Sequence, residues 1–150
     1  MTISKTKFSL FRNISVVSYL PIFTAQDQAD HSKYDVEHLA TKNLMKKCLD
    51  RYNGDLRLPI GSIGNLCLLP QKENRSKRDK TIYSDGKYLT KSTYTLADLE
   101  SKFTFTEQSD LEWLEDTTLD KAQFEARYMQ YIDKRFSILI DILKTHYGSL

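Results

Sequence analysis

The chain has 150 residues, 40% of them hydrophobic and 28% charged, with a net charge of +2. That is enough for one domain with its own core and too little for two ordinary ones. No run reaches the roughly 18 apolar residues of a membrane span. The apolar stretch over 16–23 is short and lacks a small-residue cleavage site, so neither leader nor anchor is expected. Two cysteines, Cys48 and Cys67, are too few for a disulfide scaffold or a zinc knuckle. A reducing cytoplasm is the expected location.

In chain order, residues 1–33 form an N-terminal extension expected to pack on the core, with a strand or buried edge over 1–23 and a polar loop over 24–33. The alternation Tyr34-Asp35-Val36-Glu37-His38-Leu39 predicts a half-buried strand. Its pleat puts Val36 and His38 on one face and Asp35, Glu37 and Leu39 on the other. Residues 43–52 have helical spacing at Leu44, Met45, Cys48, Leu49 and Tyr52, and Asn53-Gly54-Asp55 ends the helix. The apolar run 65–69 predicts a second strand, stopped by Pro70. Residues 72–80 are polar and basic and predict a short surface helix, followed by a loop over 83–93. Thr95 is an expected N-cap for a helix over 96–103. Leu111, Trp113 and Leu114 predict a second short helix. The last helix starts at Asp120, with Gln123 completing a capping box, and runs through Phe124, Tyr128, Ile132, Phe136 and Leu139 to a stop at Gly148. The expected fold class is α+β, with two strands and a basic helix over 34–82 and a mostly helical cap over 95–147.

The small net charge hides an asymmetry. Residues 71–91 hold seven Lys/Arg against three acids, whereas residues 96–126 hold nine acids against two lysines. Polyanion binding, if present, belongs to the first stretch. Solvated helix faces explain the same pattern without any ligand.

One constellation carries chemistry. Glu37 and His38 are adjacent, Gly64-Asn65-Leu66 opens the second strand, and Asn74 sits in the basic segment with Arg75, Lys77, Arg78 and Lys80. A histidine with a pKa near neutrality suits removal of a proton from water. One carboxylate and one amide oxygen suffice to hold Mg²⁺, which takes oxygen ligands and keeps several waters. Mn²⁺ shares that preference. Asn65 can hydrogen-bond the opposing loop and fix the aim of His38. Each residue alone is commonly structural. His31 and His146 are expected at the surface, and the two cysteines are expected as small buried hydrophobes.

In this order the motifs resemble the HNH, or ββα-metal, nucleases, and in particular the C-terminal nuclease module of GmrSD-like, modification-dependent restriction proteins. The likeness is carried by Val36-Glu37-His38-Leu39, by Ile63-Gly64-Asn65-Leu66-Cys67-Leu68-Leu69 and by the stretch from Asn74 to Lys80. Trp113 and Ile132-Asp133-Lys134-Arg135 fit the helical continuation of that module, so the likeness spans about Tyr34 to Tyr147. It implies a ββα-metal core over 34–82 within a nuclease domain over 34–150. His38 would be the general base, Glu37 and Asn74 the metal ligands, and Asn65 the orienting middle residue, with Asn74 in place of a final histidine. Arg75, Lys77, Arg78 and Lys80 would contact phosphates. The implied activity is Mg²⁺- or Mn²⁺-dependent cleavage of DNA to a 5′ phosphate and a 3′ hydroxyl, in restriction or anti-phage defence. RNA stays open as a substrate. A proline usual shortly after the histidine is replaced here by the Ala40-Thr41-Lys42 region. Such modules follow an NTP-binding domain, so a separate NTP-binding or specificity subunit is an expected partner, and no membrane is. The alternatives are a non-catalytic nucleic-acid-binding module, or a protein-interaction module of a defence complex that docks through the acidic 96–126 stretch.

Overall fold

The computed structural model describes residues 33–148. The expectations for 1–32, including the strand, the loop, the packing of the extension and His31, lie outside the described residues, as does the side chain of His146. The fold is mixed α+β, with a two-stranded antiparallel sheet and a long C-terminal helix. Among the described residues no helix is long and apolar enough to cross a membrane.

Strand β1 (Tyr34–His38) pairs with β2 (Leu66–Pro70), Tyr34 opposite Pro70 and His38 opposite Leu66. Directly opposite residues share a face, so Asp35 and Glu37 lie with Leu69 and Cys67, and Val36 and His38 with Leu68 and Leu66. Cys67 and Leu69 enter the core, whereas Val36 is 46% exposed. β2 is buried from Cys67 to Pro70 and β1 only partly, so β1 brings polar side chains to the border between core and solvent.

The excursion between the strands holds helix α1 (Lys42–Arg51). The Thr41 hydroxyl caps it by accepting from Leu44 N–H at 3.2 Å. Asn53 and Gly54, both at positive φ, end the turn that follows. α1 buries Met45 and Cys48, and Arg51 donates to the carbonyls of Asp116 and Leu114. A 3₁₀ turn over Ile63–Asn65 leads into β2, so the strand starts one residue later than the apolar run predicts. Helix α2 (Gln71–Lys77) follows Pro70 without a break. It is shorter than expected, because Arg78 takes φ 58° and closes it.

The expected 96–103 helix is a composite. Helix α3 (Leu96–Leu99) widens into a π-helical turn over Glu100–Thr104, closed by Phe105 at φ 52°. The wider turn buries Phe103 and Thr104, and Tyr34 and Tyr94 pack on the Phe103 ring. The expected second short helix is two 3₁₀ turns, Gln108–Asp110 and Glu112–Glu115, and the expected 83–93 loop contains another over Gly86–Leu89. Several acids of the 96–126 stretch are local structure makers. Asp98, Asp110 and Asp120 each serve a capping box.

Helix α4 (Lys121–Tyr147) starts at the Asp120–Gln123 capping box and is followed by Gly148 at φ 77°. Its buried stripe is Phe124, Tyr128, Tyr131, Ile132, Arg135 and Leu139, while Phe136 is half-buried. Arg135 is fully inside and bonds carbonyls rather than an acid. Nε donates to Thr104 O at 2.5 Å and an NH1 proton to Leu66 O at 3.1 Å. That contact joins α4 to both the π turn and the start of β2.

α4 can lie this close only because residue 64 is glycine. A Cβ there would stand 2.7 Å from the Ile132 carbonyl oxygen. Overpacking of this kind costs about 1–3 kcal/mol. Gly64→Ala is therefore expected to lower the unfolding free energy by about that amount, read as a lower urea midpoint at unchanged slope. Gly61→Ala, where a Cβ meets nothing within 4 Å, is expected to stay within about 0.5 kcal/mol. Equal stability of the two variants would contradict the close approach of α4.

Candidate active site

α2 lies against β1 with two of its side chains aimed at the strand. Residues three apart on a helix share a face, and residues two apart on a strand share a face. Asn74 and Lys77 thus meet Asp35 and Glu37 in order. Asn74 Nδ2 donates to Asp35 Oδ2 at 3.2 Å, and Lys77 Nζ lies 3.6 Å from Glu37 Oε1. Glu73, on the underside of α2, is buried and accepts from Ser92 Oγ at 2.5 Å, which ties the helix to the segment behind it.

The oxygen of the same amide is Asn74 Oδ1. It is buried and, among the described residues, receives no hydrogen bond. A buried acceptor left without a donor costs about 1–3 kcal/mol.

His38 ends β1 on the face opposite Glu37 and is half-buried. Burial holds its imidazole below the usual pKa, the Lys42 charge adds to that, and Glu37 opposes both. The ring is thus neutral at physiological pH, the form that accepts a proton.

Asn65 is fully buried and spans the site's rear wall. Its Oδ1 accepts from Ala40 N–H at 2.8 Å and from the Tyr131 hydroxyl at 3.2 Å. Its Nδ2 donates to Ile60 O at 2.9 Å and Ala40 O at 3.3 Å, and its backbone carbonyl accepts from Leu39 N–H at 2.9 Å. The two residues after His38 are pinned by this one side chain and its backbone.

The four basic candidates divide. Arg75 and Lys80 are exposed, with side chains 69% and 54% accessible, and each sits near an acid, Asp35 at 3.8 Å and Asp85 at 3.1 Å. Arg78 is also exposed. Lys77 differs from them. Its side chain is 1% exposed, and Nζ donates to the carbonyls of Lys80 and Arg78 while facing Glu37. Polar neighbours in the sequence give no sign of this burial, which arises only where α2 packs on β1.

Two further neighbours bear on the site. Asp35 shares a face with Glu37, a signal present in the pleat but given no role. Lys42 acts on His38 from the first turn of α1. A polar cavity of ≈ 240 Å³ lies beside the site, lined by Thr41, Asn43, Lys47, Lys80, Glu112 and Glu115 among others, and does not include Glu37, His38 or Asn74. Among the described residues no three His, Cys, Asp or Glu side chains form a metal-holding group. No protein-family model, curated protein or solved structure matches this chain.

The order of causes on His38 gives an expected titration. In metal-free protein its imidazole is expected to titrate below the ordinary histidine value when followed by NMR, and Lys42→Ala is expected to raise the value without restoring it, since burial is the larger cause. A wild-type value at or above 6.5 would contradict the half-buried placement.

Proposed function

We propose that this chain is an HNH-type endonuclease with a ββα-metal core, hydrolysing DNA phosphodiester bonds in restriction or anti-phage defence. The observation that carries the reading is the buried Asn74 Oδ1 without a protein donor, on the helix packed against the strand of Glu37 and His38. A strand pair followed by a short helix, with an acid-histidine pair on the first strand, supports the same core.

The residues fit Mg²⁺ or Mn²⁺. Glu37 offers a carboxylate oxygen and Asn74 a carbonyl oxygen, a hard-donor pair of the kind Mg²⁺ accepts while keeping water. Bound there, the ion would supply Lewis acidity to the phosphate and stabilise the leaving 3′ oxygen. His38, neutral at working pH, takes the proton of the attacking water at a ring nitrogen. Asn65 holds the turn after His38 and so fixes where that ring points. Lys77 offsets the charge of Glu37 from beneath. Arg75, Arg78 and Lys80 contact backbone phosphates at the surface, and their acidic neighbours exchange for the stronger field of the polyanion.

A second reading has one observation of its own. The Lys77 ammonium already faces Glu37 at 3.6 Å, so that carboxylate has a cationic partner without any metal.

Nicking of supercoiled plasmid separates the two. The purified chain is expected to nick with Mg²⁺ or Mn²⁺ and to stop with EDTA. His38→Ala should slow it by about 10²–10⁴-fold, the usual worth of a general base. Binding of DNA without cleavage of DNA or RNA under either metal would favour the second reading. Cleavage that survives His38→Ala would put the base elsewhere.

A further inference from the structure

We infer that Asp35 is a positioning residue that aims Asn74 at the cation, a role that rests on the metal-dependent reading above. A carboxylate only accepts hydrogen bonds, whereas a primary amide donates from nitrogen and accepts at oxygen. Asp35 Oδ2 therefore dictates which end of the Asn74 amide it meets. Nδ2 faces it at 3.2 Å, and Oδ1 is turned the other way, into a buried position without a donor. Turning the amide over would set two oxygens against each other.

The pleat makes this possible. Asp35 and Glu37 project from the same face of β1, and α2 crosses that face with Asn74 at Asp35 and Lys77 at Glu37. One acid orients the amide ligand, and the other is itself a ligand. The second contact of Asp35, to Arg75 Nε at 3.8 Å, lies on an exposed side chain and does not set the amide. Metal sites generally depend on such outer partners, and their loss costs about 10–100-fold in metal affinity.

The test is Mn²⁺ binding by calorimetry on the whole chain, with side-chain amide exchange in metal-free protein alongside. Asp35→Ala is expected to weaken Mn²⁺ by about 10-fold or more and to speed exchange of the Asn74 side-chain amide protons. Asp35→Asn keeps an acceptor oxygen at the same place and is expected to stay closer to wild type on both readouts. Asn74→Ala and the double variant with Asp35→Ala should bind Mn²⁺ equally weakly, because Asp35 acts only through Asn74. Unchanged affinity in Asp35→Ala would overturn the inference. Losses that add in the double variant, or an Asp35→Asn as weak as Asp35→Ala, would also overturn it, since the carboxylate would then act on the cation directly. Wild-type protein that binds no Mn²⁺ would defeat the metal reading itself and this inference with it, while the exchange data would still report whether Asp35 holds the amide.

Discussion

The rest of the structure depends on Asn65. It is a buried amide with every polar valence used, two acceptances at Oδ1 and two donations from Nδ2. Through Ala40 it fixes the chain that leaves β1, through Ile60 the excursion that returns to β2, and through the Tyr131 hydroxyl the long helix α4. A satisfied buried network of this kind specifies one arrangement, and the same low dielectric makes any single deletion expensive. Gly64, one residue earlier, adds the steric half of the same junction by letting the backbone of α4 approach. The wall behind His38 is therefore built from the same contacts that hold the fold.

On the other side of the ribbon, electrostatics decide what the site can do. Two carboxylates lie on one face of β1, and α2 answers them with one amide and one buried ammonium. A buried charge persists only when paired and hydrogen-bonded. Lys77 meets that condition with two carbonyls and Glu37. Asn74 Oδ1, a neutral acceptor, is buried and receives no hydrogen bond among the described residues. Arg135 is the structural counterpart, a buried guanidinium that bonds backbone carbonyls and leaves NH2 without an acceptor among the described residues.

How much of this could be read from residues alone follows from which forces are local. The β1 alternation, the α1 period, the Pro70 stop and the Asp120–Gln123 cap are local signals, and each appears within a residue or two of its expected place. The π turn at Glu100–Thr104 and the paired 3₁₀ turns after it are not local. They arise because Phe103, Leu111 and Trp113 must reach one core, which tertiary packing decides and periodicity does not. Asn65 was legible as a loop-binding residue because an asparagine side chain has few other tasks after a glycine turn. The burial of Lys77 was not, since its surroundings in sequence are polar and only α2 against β1 hides it. The partnership of Asp35 with Asn74 spans 39 positions and needed the fold.

The central proposal is that Glu37 and Asn74 hold a divalent cation where α2 packs on β1. Crystals of the whole chain grown or soaked with Mn²⁺ and measured at the manganese absorption edge test it directly. The account predicts one anomalous peak within about 2.0–2.3 Å of a Glu37 carboxylate oxygen and of Asn74 Oδ1, the distance a hard cation keeps from oxygen. A peak at the polar cavity beside α1 instead, or ordered Glu37 and Asn74 side chains with no peak between them, would contradict it.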